Sequence, residues 1–160
     1  MHVGDIVVCN KAIRDEGISH HYLKPAKYVS ADKTLVKELL TYAEKSKIPV
    51  KVGTTWTTDA PFRETAEEVK AYSRQGILTV EMEAATVFSL AKYYGVRAAA
   101  VFVISDSLAG LKWKPSKKLP FRKVSTALGI ASKGEIAAHR VAKDPRAEQT
   151  AHNLEAVLSS

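Results

Sequence analysis

The chain has 160 residues, 46% of them apolar and 26% charged, with a net charge of +7, which is enough material for one domain with a real core. No apolar run reaches the roughly 18–20 residues of a membrane span, and Asp5 interrupts any signal-like start, so no membrane and a cytoplasmic location are expected. Cys9 is the single cysteine, which excludes an internal disulfide and a multi-cysteine zinc site.

The positive charge is unevenly placed. Residues 1–111 carry 14 Lys/Arg against 13 Asp/Glu, whereas residues 112–146 carry 10 Lys/Arg against Glu135 and Asp144 alone. This divides the chain into a balanced region, 1–111, and a basic segment, 112–160. The segment reads as a solvated surface before it reads as an anion or nucleic-acid surface. Trp113 and Phe121 do not interleave regularly with the charges, so nucleic acid is not the expected partner.

In chain order, Val3 to Cys9 predicts a buried strand, and Asn10 to Pro25 an irregular polar connection. Tyr28 and Val29 suit a brief strand. Ser30 or Asp32 can cap a helix that runs to about Ser46, with Leu35, Leu39, Leu40 and Ala43 on its apolar side. Val50 to Thr58 reads as a strand and Thr65 to Gln75 as a helix, amphipathic through Val69 and Tyr72. Residues 76–80 form a further strand, and a helix over 83–94 is closed by Gly95. Arg97 to Ser105 is an apolar strand without period-2 alternation, as expected where both faces are covered. Beyond Asp106 a loop to Pro120 and helices near 124–142 and 146–158 are expected. Alternating strands and helices predict an α/β fold with a parallel or mixed sheet.

Three apolar strands end in polar groups: Thr57-Thr58-Asp59, Glu81-Met82-Glu83 and Ser105-Asp106. If the strands run parallel, all three clusters share the carboxyl edge where α/β sheets bind ligands. The competing explanation is that Asp59, Glu81 and Asp106 merely cap the elements that follow. The histidines make no metal-ligand spacing with the acids, so no metal is expected. GxSxG, a Walker loop and GxGxxG are absent. Carboxylate chemistry on a polyhydroxylated or nitrogenous substrate is left. Glu83 could hold two adjacent sugar hydroxyls, and Asp106 could protonate a leaving group.

VEMEAATVFSLAKYYGVRAAAVFVISDSL, Val80 to Leu108, resembles the nucleoside phosphorylase family of uridine phosphorylases and hexameric purine nucleoside phosphorylases. GDIVVCNKAIRDEGISHHYLKP, Gly4 to Pro25, is similar to the uridine branch, and VGTTWTTDAPFRET, Val52 to Thr65, to the strand and loop between. The resemblance implies a three-layer α/β fold with a central mixed sheet and flanking helices, lacking the family's first strands. It implies phosphorolysis of a ribonucleoside, uridine or purine, to free base and ribose 1-phosphate. No cofactor is implied; inorganic phosphate is the co-substrate. By the resemblance Glu83 grips the ribose hydroxyls, Met82 packs on the sugar, and Val80 and Glu81 line the base side. Asp106 is the acid facing the departing base. Pro61 or Phe62 forms an apolar wall, and Arg63 partly substitutes for a base-reading pair.

The resemblance also implies that this chain corresponds to the C-terminal part of the family fold. The phosphate loops carried by the family's N-terminal part are then absent or improvised. Two functional classes follow: an enzyme (a phosphorylase, or a nucleosidase if water replaces phosphate), or an inactive relative that binds nucleoside or serves as a structural subunit. A bared sheet edge would be covered by another chain, so a homo-oligomer is expected.

Overall fold

The computed structural model describes residues 1–107 and the backbone of Lys114–Pro115. The expected loop from Leu108, the helices near 124–142 and 146–158, and most of the basic segment lie outside the described residues.

The sheet is built on β1, Ile6–Asp15. Parallel to it along one edge runs β3, Lys51–Thr58, and parallel to β3 runs β4, Ile77–Glu81. The other edge of β1 is shared by two antiparallel strands. β5, Ala100–Val103, pairs with Ile6–Cys9, and β2, Tyr28–Ser30, pairs with Lys11–Ile13. The sheet is therefore mixed. A two-residue ladder joins β6, Asp106–Ser107, to β7, Lys114–Pro115.

β1 is longer than the apolar run suggests, and its second half occupies much of the expected irregular connection. The register against β3 slips between Cys9 and Lys11, so Asn10 is absorbed in a bulge. Ala12 consequently packs in the same cluster as Cys9, and alternation counted straight from Ile6 fails there.

Helix α1, Lys33–Lys45, starts where Asp32 Oδ1 accepts the Leu35 N–H at 2.9 Å. Leu39 and Ala43 of α1 pack against Ile6 and Val8 on one face of the sheet. Helix α3, Ala84–Tyr94, places Ala84, Ala85 and Phe88 against Cys9, Ala12 and Val29. Gly95 ends α3 at φ 68°, a left-handed position that a glycine adopts without a Cβ clash.

Helix α2, Ala66–Arg74, has a complete capping box: the Thr65 hydroxyl accepts the Glu68 N–H and Glu68 accepts the Thr65 N–H. Tyr72 of α2 lies against Trp56 with ring centroids 4.7 Å apart. β5 divides its side chains as its composition predicts. Ala100 and Phe102 pack on the α3 cluster, and Val101 and Val103 on the α1 cluster. No described helix is long and apolar enough to cross a membrane.

Candidate functional site

Because β3 and β4 are parallel with Thr57 opposite Glu81, the threonines of β3 lie beside the end of β4. Thr57 Oγ1 donates to Glu81 Oε1 at 2.5 Å, and Thr55 Oγ1 approaches the same oxygen at 3.3 Å. The other oxygen, Oε2, accepts the N–H groups of Glu83 at 2.8 Å and Ala84 at 2.6 Å. The Ala85 N–H goes to Thr57 Oγ1 at 3.0 Å. The first donors of α3, which no preceding turn can satisfy, thus find acceptors on β4 and β3. Negative charge is also favourable at that end of the helix dipole.

This arrangement separates the two glutamates. Glu81 accepts the Thr57 hydroxyl on Oε1 and two N–H groups on Oε2, while the single proton of Thr55 Oγ1 lies between Glu81 Oε1 and the Thr79 carbonyl at 3.2 Å. Glu81 anchors the strand-to-helix turn. Glu83 is the N-cap residue of α3 but makes no side-chain cap. It is exposed, and its carboxylate receives the Met82 N–H at a long 3.3 Å. Met82 beside it is 46% exposed. The turn therefore presents an acceptor pair and an apolar thioether side by side. That combination suits a vicinal diol on a ring with an apolar face.

The remaining candidates fall around this turn unequally. Val80 pairs with Trp56, one step out of phase with Glu81, so it faces the other side of β4. Pro61, Phe62 and Arg63 form a short 3-10 turn after β3, and Phe62 is 100% exposed. Asp59 accepts the Gly17 N–H at 2.9 Å, tying the end of β3 to the end of β1. The shared carboxyl edge holds for β3 and β4. β5 is antiparallel, and its register sets Val103 beside Ile6, at the start of β1 rather than its end. Asp106 therefore does not reach the Glu81 turn by sheet order. Its carboxylate receives the Ser105 hydroxyl at 2.8 Å. Glu64 is pushed up by burial first, then by the negative charges of Asp106 and Glu68.

Cys9 is fully buried and donates to the Lys11 carbonyl at 3.4 Å. Burial pushes its thiol up to about 12, consistent with an inert core residue. His20 and His21 are exposed in the 3-10 turn Ser19–His21. Among the described residues no group of three His, Cys, Asp or Glu is arranged to hold a metal ion.

Sequence reasoning missed a buried polar layer beneath the 16–27 loop. Arg14, 6% exposed, donates from Nε to Ser19 Oγ at 2.8 Å and from its other nitrogens to the carbonyls of Leu23, Lys24 and Ala26. Glu16, also 6% exposed, accepts Ile18 N–H, Ser19 N–H and Thr86 Oγ1–H on Oε2 at 2.7, 2.9 and 3.1 Å. Burial acts to raise the Glu16 carboxyl, but the bonds from Ser19, Ile18 and Thr86 outweigh it and hold it below the usual range. The available signal was Arg14 and Glu16 flanking an exposed Asp15 at a spacing of two, which fits a strand with charged residues turned inward.

The sequence pattern of the Phosphorylase superfamily matches residues 1–142. A guanosine phosphorylase of Halorubrum lacusprofundi is 36% identical over 108 residues, covering 68% of this chain and 45% of its own length. A purine nucleoside phosphorylase of Colwellia psychrerythraea is 33% identical over 107 residues, covering 66% and 46%. The solved structure of the P knowlesi homolog of P falciparum PNP superposes with a TM-score of 0.71 at 25% identity, covering 84% of this chain and 54% of that one. The chain spans less than half the length of these two curated relatives. The match covers every element from β1 to β5 and includes the turn that frees Glu83, and on that ground the chain belongs to the phosphorylase superfamily.

Proposed function

We propose that the chain is a nucleoside phosphorylase-like protein that binds a ribonucleoside at the Met82–Glu83 turn. The reaction is phosphorolysis: the C1′–N bond breaks, phosphate oxygen bonds to C1′, and free base and ribose 1-phosphate result. The observation that carries this reading is the division of labour between Glu81 and Glu83. Helix α3 is capped by the first, so the second is available for the 2′- and 3′-hydroxyls. Met82 covers the sugar, and Phe62 with Pro61 supplies an apolar wall for the base, flanked by Arg63. Glu81 serves this site as the cap of α3, Val80 faces the opposite side of β4, and the proton that the departing base needs falls to a group other than Asp106, which the strand order sets at the start of β1. Inorganic phosphate is the co-substrate, and carboxylates around C1′ stabilise the positive charge that develops there.

The names of the matched relatives favour a purine over uracil, because the first acts on guanosine and the second on purine nucleosides. Self-association belongs to the same reading. The outer edges of β4 and β5 have no partner strand among the described residues, and a second copy would cover them.

Phosphate-dependent base release from guanosine, inosine and uridine, with light scattering on the same sample, tests the proposal. Turnover of guanosine above uridine in an oligomer is the expected result. Folded protein that releases no base from any of the three overturns the enzyme. Binding of guanosine without release would assign the chain to the nucleoside-binding class.

A further inference from the structure

We propose that Glu16 is a positioning residue for the sugar-binding turn, acting through Thr86; the proposal rests on the nucleoside reading above. Glu16 follows β1, yet its Oε2 reaches across to α3 and receives the Thr86 hydroxyl at 3.1 Å. Thr86 lies three residues after Glu83, within the first turn of the helix that Glu83 begins. The same oxygen also gathers Ile18 N–H and Ser19 N–H. Ser19 in turn is held by the Arg14 guanidinium. A chain of hydrogen-bonded polar groups, buried at Arg14, Glu16 and Ser19 and half-buried at Thr86, therefore runs from the end of β1, through the 16–19 loop, to the first turn of α3.

Glu81 fixes that turn from the side of β3 and β4, and Glu16 fixes it from the side of β1. The exposed Glu83 makes one long bond of its own, so the direction of its carboxylate depends on these two supports. The second oxygen of Glu16, Oε1, is buried and has no hydrogen-bond partner among the described residues. Burying half of a carboxylate without a partner is costly, and the fold retains it. The burden is consistent with a residue kept for where it places α3 rather than for net stability. Tyr22, further along the same loop, meets Tyr93 edge-on at 5.5 Å, so the loop holds α3 near its far end as well.

The test compares wild type, Glu16→Ala, Glu16→Gln and Thr86→Val by amide hydrogen exchange at residues 84–87 and by binding of guanosine and 2′,3′-dideoxyguanosine. Loss of the latch is expected to speed exchange there by about tenfold and to cut the preference for guanosine by a similar factor, about the worth of one bond to a charged acceptor. Glu16→Gln keeps an acceptor for Thr86 and is expected to retain most of both. Thr86→Val removes only the α3 end and covers the case in which Glu16→Ala does not fold. Unchanged exchange and unchanged preference in the folded variants overturn the proposal. Wild type without a preference for guanosine overturns the sugar-binding reading instead. The exchange measurement then upholds or overturns the latch by itself.

Discussion

The hydroxyl of Thr57 stands between two elements: it donates to Glu81 Oε1 at 2.5 Å and accepts the Ala85 N–H at 3.0 Å. Thr57 is fully buried, so Thr57→Val leaves a helix N–H without an acceptor and takes from Glu81 its closest donor. Removing one partner of a buried pair costs about 1–3 kcal/mol. Thr57→Val should lower the urea midpoint accordingly, and Thr57→Ser should recover most of the loss. Equal midpoints for wild type and the valine variant would contradict the capping role.

Glu83 should behave in the opposite way. It is exposed and caps nothing, so Glu83→Ala should change unfolding free energy by no more than about 0.5 kcal/mol. Its loss should weaken guanosine binding by roughly tenfold to a hundredfold, the worth of hydrogen bonds to a charged acceptor. Calorimetric titration beside a denaturation curve separates the two effects.

Acid should weaken one identifiable tie. Lys51 Nζ lies 2.8 Å from Asp5 Oδ2, and that bond, with the His2 N–H, holds Asp5 down to about 2 from 3.8. A carboxyl whose pKa is depressed by folding contributes stability above its unfolded value and loses it as pH falls through its folded value. The tie should therefore be fully present above about pH 4 and fade toward about pH 2. In Lys51→Met this part of the acid dependence should disappear. Added salt should shrink it in wild type, since Lys51 is half exposed.

A different kind of fragility sits at Gly53. A Cβ built there would lie 2.2 Å from Leu78 Cδ1 and 2.6 Å from its Cγ. Leu78 belongs to the neighbouring strand β4, so Gly53→Ala must displace it. Overpacking of this kind costs about 1–3 kcal/mol. The double change Gly53→Ala with Leu78→Ala should recover part of that loss in thermal melts, because it removes the two shortest contacts and leaves only that with Leu78 Cβ at 3.3 Å.

The sequence was legible where local chemistry decides. Asp32 and the Thr65–Glu68 pair mark helix starts that tertiary contacts do not alter. The apolar strands were likewise visible. Direction was not: nothing in AAAVFVISD states that its strand pairs antiparallel to β1, so the edge shared by three strand ends became an edge shared by two. The candidate turn was found from its carboxylates, but their unequal roles depend on Thr55 and Thr57, which approach Glu81 only through the β3–β4 register. Arg14 and Glu16 were hidden because charges at the end of a strand usually signal solvent. Here the 16–27 loop folds back over them and supplies the partners.

The bulge at Asn10 sets which residues of β1 face inward. It absorbs one residue, so Ala12 and Arg14 fall on the same side as Cys9, while Ile13 pairs with Trp56 on the other. Each later residue keeps the orientation it would have if Asn10 were absent. Asn10 is therefore the position at which β1 can gain or lose a residue without exchanging inside for outside. A deletion further along β1 either keeps the bulge and turns over the residues after the deletion, or removes the bulge and turns over those between Asn10 and the deletion. Within this strand, tolerance to a change in length is concentrated at a single position.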